Sequence, residues 1–123
     1  MEIHTYRDLI VWQRAIELVT EIYQLTEIFP KEEIYGITSQ MRRAAVSIPS
    51  NIAEGRVRGT RKDFTHFLII SYGSGAELET QIEIAKRLPK TKGLDYFKSD
   101  QLLGEIMKML NSMIGKLRAA PSI

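Results

Sequence analysis

The groups in this chain that could do chemistry are two histidines, fifteen carboxylates and seventeen Lys or Arg side chains, and there is no cysteine. Without a thiol there is neither a thiolate nucleophile nor a thiolate metal ligand. His4 lies near the start of the chain. His66 follows Asp63 by three residues, so the two share a helix face. Dimetal sites in helical bundles take Glu-x-x-His twice together with two further glutamates, and no Glu-x-x-His occurs here. Asp63 has the spacing of a helix cap with Thr60, which leaves His66 as a surface or boundary residue. Gly55-x-x-x-Gly59 lacks the Lys-Ser/Thr ending of a phosphate-binding loop. No Ser/His/Asp set stands out, so the chain is read as non-enzymatic, with no metal and no cofactor.

Cations carry the other chemistry. Arg56, Arg58, Arg61 and Lys62 put four positive charges into seven residues around a glycine turn. Arginine forks match phosphate oxygens, and a helix N-terminus beside them adds positive potential. The plainer alternative is a solvated turn that serves solubility. Arg42 and Arg43 could extend the patch along the preceding helix, and Lys86, Arg87, Lys90 and Lys92 form a second basic zone. A symmetric assembly would repeat either patch around one surface. Arg43, Ser47, Ser50 or Asn51, Glu54 and Arg58 also fall on one side of a helix. That stripe reads as a ligand groove or, more plainly, as hydrogen bonding around Pro49 together with subunit contacts.

The elements that must hold these groups are helical. Residues 1–35 carry seven acids and three bases, 36–62 six bases and one acid, 63–85 four acids and no base, and 86–123 eight bases and three acids. Oppositely charged neighbours attract when such blocks pack side by side. A length of 123 residues fits one domain, 1–123, with a real core. No apolar run reaches the ~18 residues of a membrane span, and the N-terminus has no signal-peptide core. The absence of cysteine fits a reducing compartment, so a cytoplasmic location without membrane contact is expected.

Thr5 and Asp8 have capping-box spacing. Leu9, Trp12, Ile16, Val19, Tyr23 and Thr26 then step by three and four, which predicts a helix from about Tyr6 to Thr26 with Trp12 in its seam. Pro30 ends it. A second helix is expected from near Lys31, with Glu32 and Glu33 in its first turn, to Gly55–Gly59. It passes through Pro49, because Ile37, Met41, Ala44, Ile48 and Ile52 keep one phase across the proline. Pro49 removes a donor and clashes with the carbonyl of Ala45, so a kink is expected there, with Ser47, Ser50 and Asn51 re-satisfying the freed groups.

A third helix from Thr60 buries Phe64, Phe67, Ser71, Ser74, Leu78, Ile82, Ala85 and Leu88. Its small middle, Ser71, Gly73, Ser74, Gly75 and Ala76, predicts close approach of a neighbouring backbone, since each helical glycine costs about 1 kcal/mol. After a loop over Pro89–Lys98, a fourth helix from near Ser99 to Arg118 turns Leu102, Leu103, Ile106, Met109, Leu110, Met113 and Leu117 inward. The expected fold is all-α, an antiparallel up-down-up-down four-helix bundle with helix two kinked at Pro49.

The run Ser47-Ile48-Pro49-Ser50-Asn51-Ile52-Ala53-Glu54-Gly55 closely resembles one family, the four-helix-bundle proteins of the 23S rRNA intervening-sequence type. Phe29-Pro30-Lys31-Glu32-Glu33, Tyr35-Gly36, Ser39-Gln40 and Arg42 to Val46 match as well. So do Asp8-Leu9, Val11-Trp12, Phe67-Leu68, Gly73-Ser74 and Glu77-Leu78-Glu79. The resemblance implies antiparallel bundles that assemble as ring-shaped homopentamers, most without an established activity. A related protein, the accessory variability determinant of diversity-generating retroelements, is a basic pentamer that binds nucleic acid and a reverse transcriptase. The expected function is therefore a homo-oligomeric bundle that binds RNA or DNA through Arg42, Arg43, Arg56, Arg58, Arg61 and Lys62. The alternative is a protein–protein scaffold that docks a partner enzyme without binding nucleic acid. Ser47, Pro49, Ser50, Asn51, Glu54 and Gly55 are read as the structural motif.

Overall fold

In a computed structural model, which describes residues 5–121, the Thr5 hydroxyl accepts from the Arg7 amide at 3.0 Å, and the Asp8 carboxylate takes the Thr5 amide at 3.2 Å. This capping box closes a 3-10 turn, Tyr6–Asp8, and not the long helix expected from it. Four α-helices follow: α1 Ile10–Glu27, α2 Ile37–Arg58, α3 Arg61–Ala85 and α4 Phe97–Ala119. Among the described residues there is no strand. His4 lies outside the described residues.

Burial decides which face of each helix looks inward. On α1 the buried stripe is Val11, Ala15, Leu18, Ile22 and Leu25. It lies one residue before the seam read from Trp12, Ile16, Val19, Tyr23 and Thr26, a rotation of about 100°. Thr26 is buried and Trp12 and Val19 are partly buried, whereas Ile16 and Tyr23 are exposed. Apolar residues occupy both stripes, and α1 packs against both α2 and α4, so periodicity alone could not choose between them.

Helix α2 begins at Ile37 after a separate 3-10 turn, Lys31–Glu33, six residues later than expected. It is one unbroken helix through the buried Pro49, and it ends at Gly59, whose φ of 85° is the left-handed cap that glycine adopts without strain. On α3, Ser71, Leu78, Ile82 and Ala85 are buried as expected, together with Leu68, Gly75 and Gln81. Phe64, Phe67, Ser74 and Leu88 are only partly buried. On α4, Met107 and Ile114 are buried while Met109, Met113 and Leu117 lie at the margin. The loop before α4 is held by Thr91, whose hydroxyl donates to the Ala85 carbonyl at 2.6 Å, and by Tyr96, which donates to the Thr91 carbonyl at 2.8 Å.

The tightest packing is between α2 and α3. A Cβ on Gly55 would come within 2.6 Å of the Phe67 Cβ, so only glycine admits the phenylalanine there. Gly75 faces the Met107 side chain of α4 and not a neighbouring backbone, and Gly73 faces open space. At Gly75 the small residue thus makes room for a side chain and not for the neighbouring backbone expected there. Ion pairs join the oppositely charged blocks: Arg42 with Glu27, Lys90 with Glu32 and Lys98 with Glu21.

Candidate nucleic-acid interface

The sequence Arg56-Val57-Arg58-Gly59-Thr60-Arg61-Lys62 forms the tight connection from α2 to α3. Gly59 turns the chain, and the Thr60 hydroxyl accepts from the Asp63 amide at 3.1 Å to cap α3. All four cations are exposed. Arg56 stands 6.0 Å from the Phe64 ring centroid and Arg58 5.1 Å from that of Phe67. Aromatic faces thus hold both guanidiniums at the end of α2, where cations also complement the helix dipole. Arg58 shares its charge with Glu54 at 3.3 Å, the i,i+4 pair read from the sequence. Arg61 donates to the Pro121 carbonyl at 2.9 Å and has no carboxylate partner among the described residues. Lys62 has no ion-pair partner among the described residues.

Beside the turn runs a surface groove of about 630 Å³, lined by Arg61, Lys62, Thr65, His66, Ile69 and Leu117. His66 thus belongs to the wall of the basic surface, one helical turn beyond Lys62. The sequence pattern had left it as a boundary residue, although the i,i+4 spacing from Lys62 was the available signal.

Arg42 and Arg43 do not join this surface. They lie thirteen or more residues before Arg56, about 20 Å along α2. Arg42 is tied into the fold: its Nε donates to the Thr26 hydroxyl at 2.8 Å, it pairs with Glu27 at 3.3 Å, and it lies 4.5 Å from the Tyr23 ring centroid. Arg43 is exposed, without an ion-pair partner among the described residues, and lies in the half of α2 far from the turn.

The Ser-Ile-Pro-Ser-Asn run makes a hydroxyl network between α2 and α3. Ser47 and Ser74 share a hydrogen bond of 2.8 Å, and Asn51 Nδ2 donates to the Ser47 carbonyl at 2.8 Å and to its hydroxyl at 2.9 Å. Ser71 donates to the Ile48 carbonyl at 2.9 Å. These bonds reach the carbonyls of Ser47 and Ile48 and not that of Ala45, which the missing proline N–H deprives. Ser50 is exposed and takes no part. Of the two readings of the polar stripe, these contacts fit the plainer one: Ser47 and Asn51 knit helices together, and Glu54 serves Arg58.

Three of the four cations of the second basic zone meet carboxylates, while Lys92 is exposed with no ion pair among the described residues. Lys86 pairs with Asp100 at 2.6 Å, Arg87 with Glu83 at 3.0 Å and Lys90 with Glu32 at 2.8 Å. The hydrogen bonds they donate to Asp100 and Glu32 hold the ammonium groups of Lys86 and Lys90 above their ordinary pKa. Among the described residues no group of His, Asp and Glu could hold a metal ion. Nor is any helix long and apolar enough to cross a membrane.

The family described as the 23S rRNA-intervening sequence protein matches residues 7–112, which span all of α1 to α3 and most of α4. The chain belongs to the 23S rRNA-intervening sequence protein family. No curated protein matches the chain. Membership accords with the all-helical architecture, and it leaves the family's biochemical role to be argued from surfaces such as the Arg56–Lys62 turn.

Proposed function

We propose that this member of the family is a non-enzymatic, cytoplasmic homo-oligomer that binds RNA or DNA through the turn between α2 and α3. The observation that carries the reading is the exposure of Arg56, Arg58, Arg61 and Lys62 on one connection, with only Arg58 compensated by a carboxylate among the described residues. Such a surface engages phosphates without reading bases. Repetition in an oligomer multiplies weak contacts through effective concentration. Support for self-association comes from apolar side chains left on the outside, among them Val46, Ile69, Tyr72 and Ile84; the resemblance noted above favours a pentamer.

The test is a titration of labelled RNA and DNA at increasing salt, with light scattering of the same sample. The reading expects similar affinity for both polymers, a linear fall of log affinity with log salt, and a mass several times that of one chain. Absence of binding even at low salt would leave a docking scaffold for a partner enzyme as the better account. A monomer at micromolar concentration would remove the oligomeric half of the proposal.

A further inference from the structure

Helix α3 is buried on one side and apolar again on the other. Ile69, Tyr72, Ala76, Thr80 and Ile84 step by three, four, four and four residues, opposite the buried Ser71, Leu78, Ile82 and Ala85. Ile69, Tyr72 and Ile84 are 38%, 37% and 46% exposed, and the stripe is free of charge from Ile69 to Thr80, beyond which the Glu83–Arg87 ion pair closes its far end. The outward face of a surface helix is normally polar, whereas a helix apolar all round is covered all round. Gly73, at the edge of the stripe with nothing near its missing Cβ, keeps that surface flat.

A matching concavity lies elsewhere on the same chain. Between α1 and α2 a groove of about 490 Å³ is lined by Tyr23, Ile34, Thr38, Arg43 and Val46, among others. Tyr23, Ile34 and Val46 are partly open to solvent. Thr38, 4% exposed, has a buried hydroxyl with no hydrogen-bond partner. Charge complements shape. Arg43 at the groove has no carboxylate partner among the described residues, and Arg42 beside it is already paired with Glu27. Glu77 and Glu79 flank the α3 stripe, one on each side, and neither has a cation partner among the described residues. Glu77 shares a cleft with Arg43 of its own chain without forming an ion pair.

We infer that the outward stripe of α3 in one copy seats in the α1–α2 groove of a second copy, with Arg43 of the groove facing the Glu77 and Glu79 flanks. The inference rests on the homo-oligomeric reading above and specifies its contact. The contact inferred is head-to-tail, one stripe in one groove, and so heterologous: it leaves each end copy with one free patch, and it closes only as a ring or extends as a filament.

That property supplies the experiment. Ala76→Arg blocks the stripe and Val46→Arg blocks the groove, both at exposed positions. Each variant alone is expected to be monomeric by light scattering with unchanged helicity. Mixed in equal amounts, they are expected to form a 1:1 heterodimer and nothing larger, because one intact groove and one intact stripe remain. The pair Tyr72→Glu and Ile34→Glu is read in the same way and covers a failure of either arginine variant to fold. If both blocked variants keep the wild-type oligomeric mass, or if the mixture stays monomeric, the contact is wrong although the oligomeric reading stands. A monomeric wild-type protein overturns both.

Discussion

The chain has two basic zones, and they differ in what their cations already touch. Around Gly59, among the described residues, Arg56 and Lys62 have no carboxylate partner, Arg61 donates to a carbonyl, and only Arg58 meets a glutamate. In the zone after α3, Lys86, Arg87 and Lys90 each hold a carboxylate within 3.0 Å and Lys98 reaches Glu21 at 3.7 Å, whereas Lys92 has no ion pair among the described residues. The two stretches look alike when charges are counted along the sequence. A polyanion approaching the second must compete with carboxylates already in place, whereas at the first it meets largely uncompensated charge. Availability, not number, separates a candidate phosphate surface from a set of helix-to-helix ties.

The largest expected effect tests that contrast directly. Replacing Arg56, Arg58, Arg61 and Lys62 together by glutamine should lower RNA and DNA affinity at low salt by roughly a hundredfold or more. The slope of log affinity against log salt should shrink by about three to four, near 0.9 for each lost phosphate contact. Helicity and oligomeric mass should be unchanged. Replacing Lys86, Arg87 and Lys90 by glutamine should change affinity by no more than about threefold on the same argument. An equal loss from both sets would erase the distinction between the zones.

Next comes the support beneath the turn. Gly55→Ala should destabilise the fold by about 1–3 kcal/mol in chemical denaturation, because the added methyl overpacks against Phe67. Wild-type stability in this variant would show that the α2–α3 contact yields freely, and that the turn cations are less firmly positioned than their aromatic contacts imply. Smaller still is Arg42→Gln, which should cost about 1 kcal/mol through its lost hydrogen bond to Thr26. Nucleic-acid affinity should move less than twofold. A large loss of affinity would return Arg42 to the binding surface.

The smallest effect is a titration. Lys90, through a hydrogen bond and its charge, holds the Glu32 carboxyl below its ordinary pKa. Such a pair adds stability that is present above the unfolded pKa of about 4.3 and is lost as pH falls through the lower folded value. NMR titration should find the Glu32 pKa higher in Lys90→Gln than in the wild type. Identical values would mean that the pair does not persist and that Lys90 is as free as Lys62.

Much of this was legible in advance. The Thr60 cap follows from side-chain chemistry within three residues, and the passage of α2 through Pro49 follows from the unbroken phase of Ile37 to Ile52. The location of the basic turn needed only the glycine between its arginines. The buried stripe of α1 was misplaced by one residue because apolar side chains lie on adjacent stripes, and only contact with both α2 and α4 selects Val11 over Trp12. Arg42 resembled its neighbours in the sequence, yet Thr26, Glu27 and Tyr23, brought across from α1, turn it into a tie between helices. His66 reached the groove wall through Leu117, fifty-one residues away in the chain.

Sequence by itself determined the helices, their caps at Thr60 and Gly59, and the alternation of charge, because these depend on neighbours within one or two turns. Only the tertiary structure decided which cations are spent and which stay free, since a charge is compensated by whatever lies within about 4 Å of it, and for Lys90 that is Glu32, fifty-eight residues away.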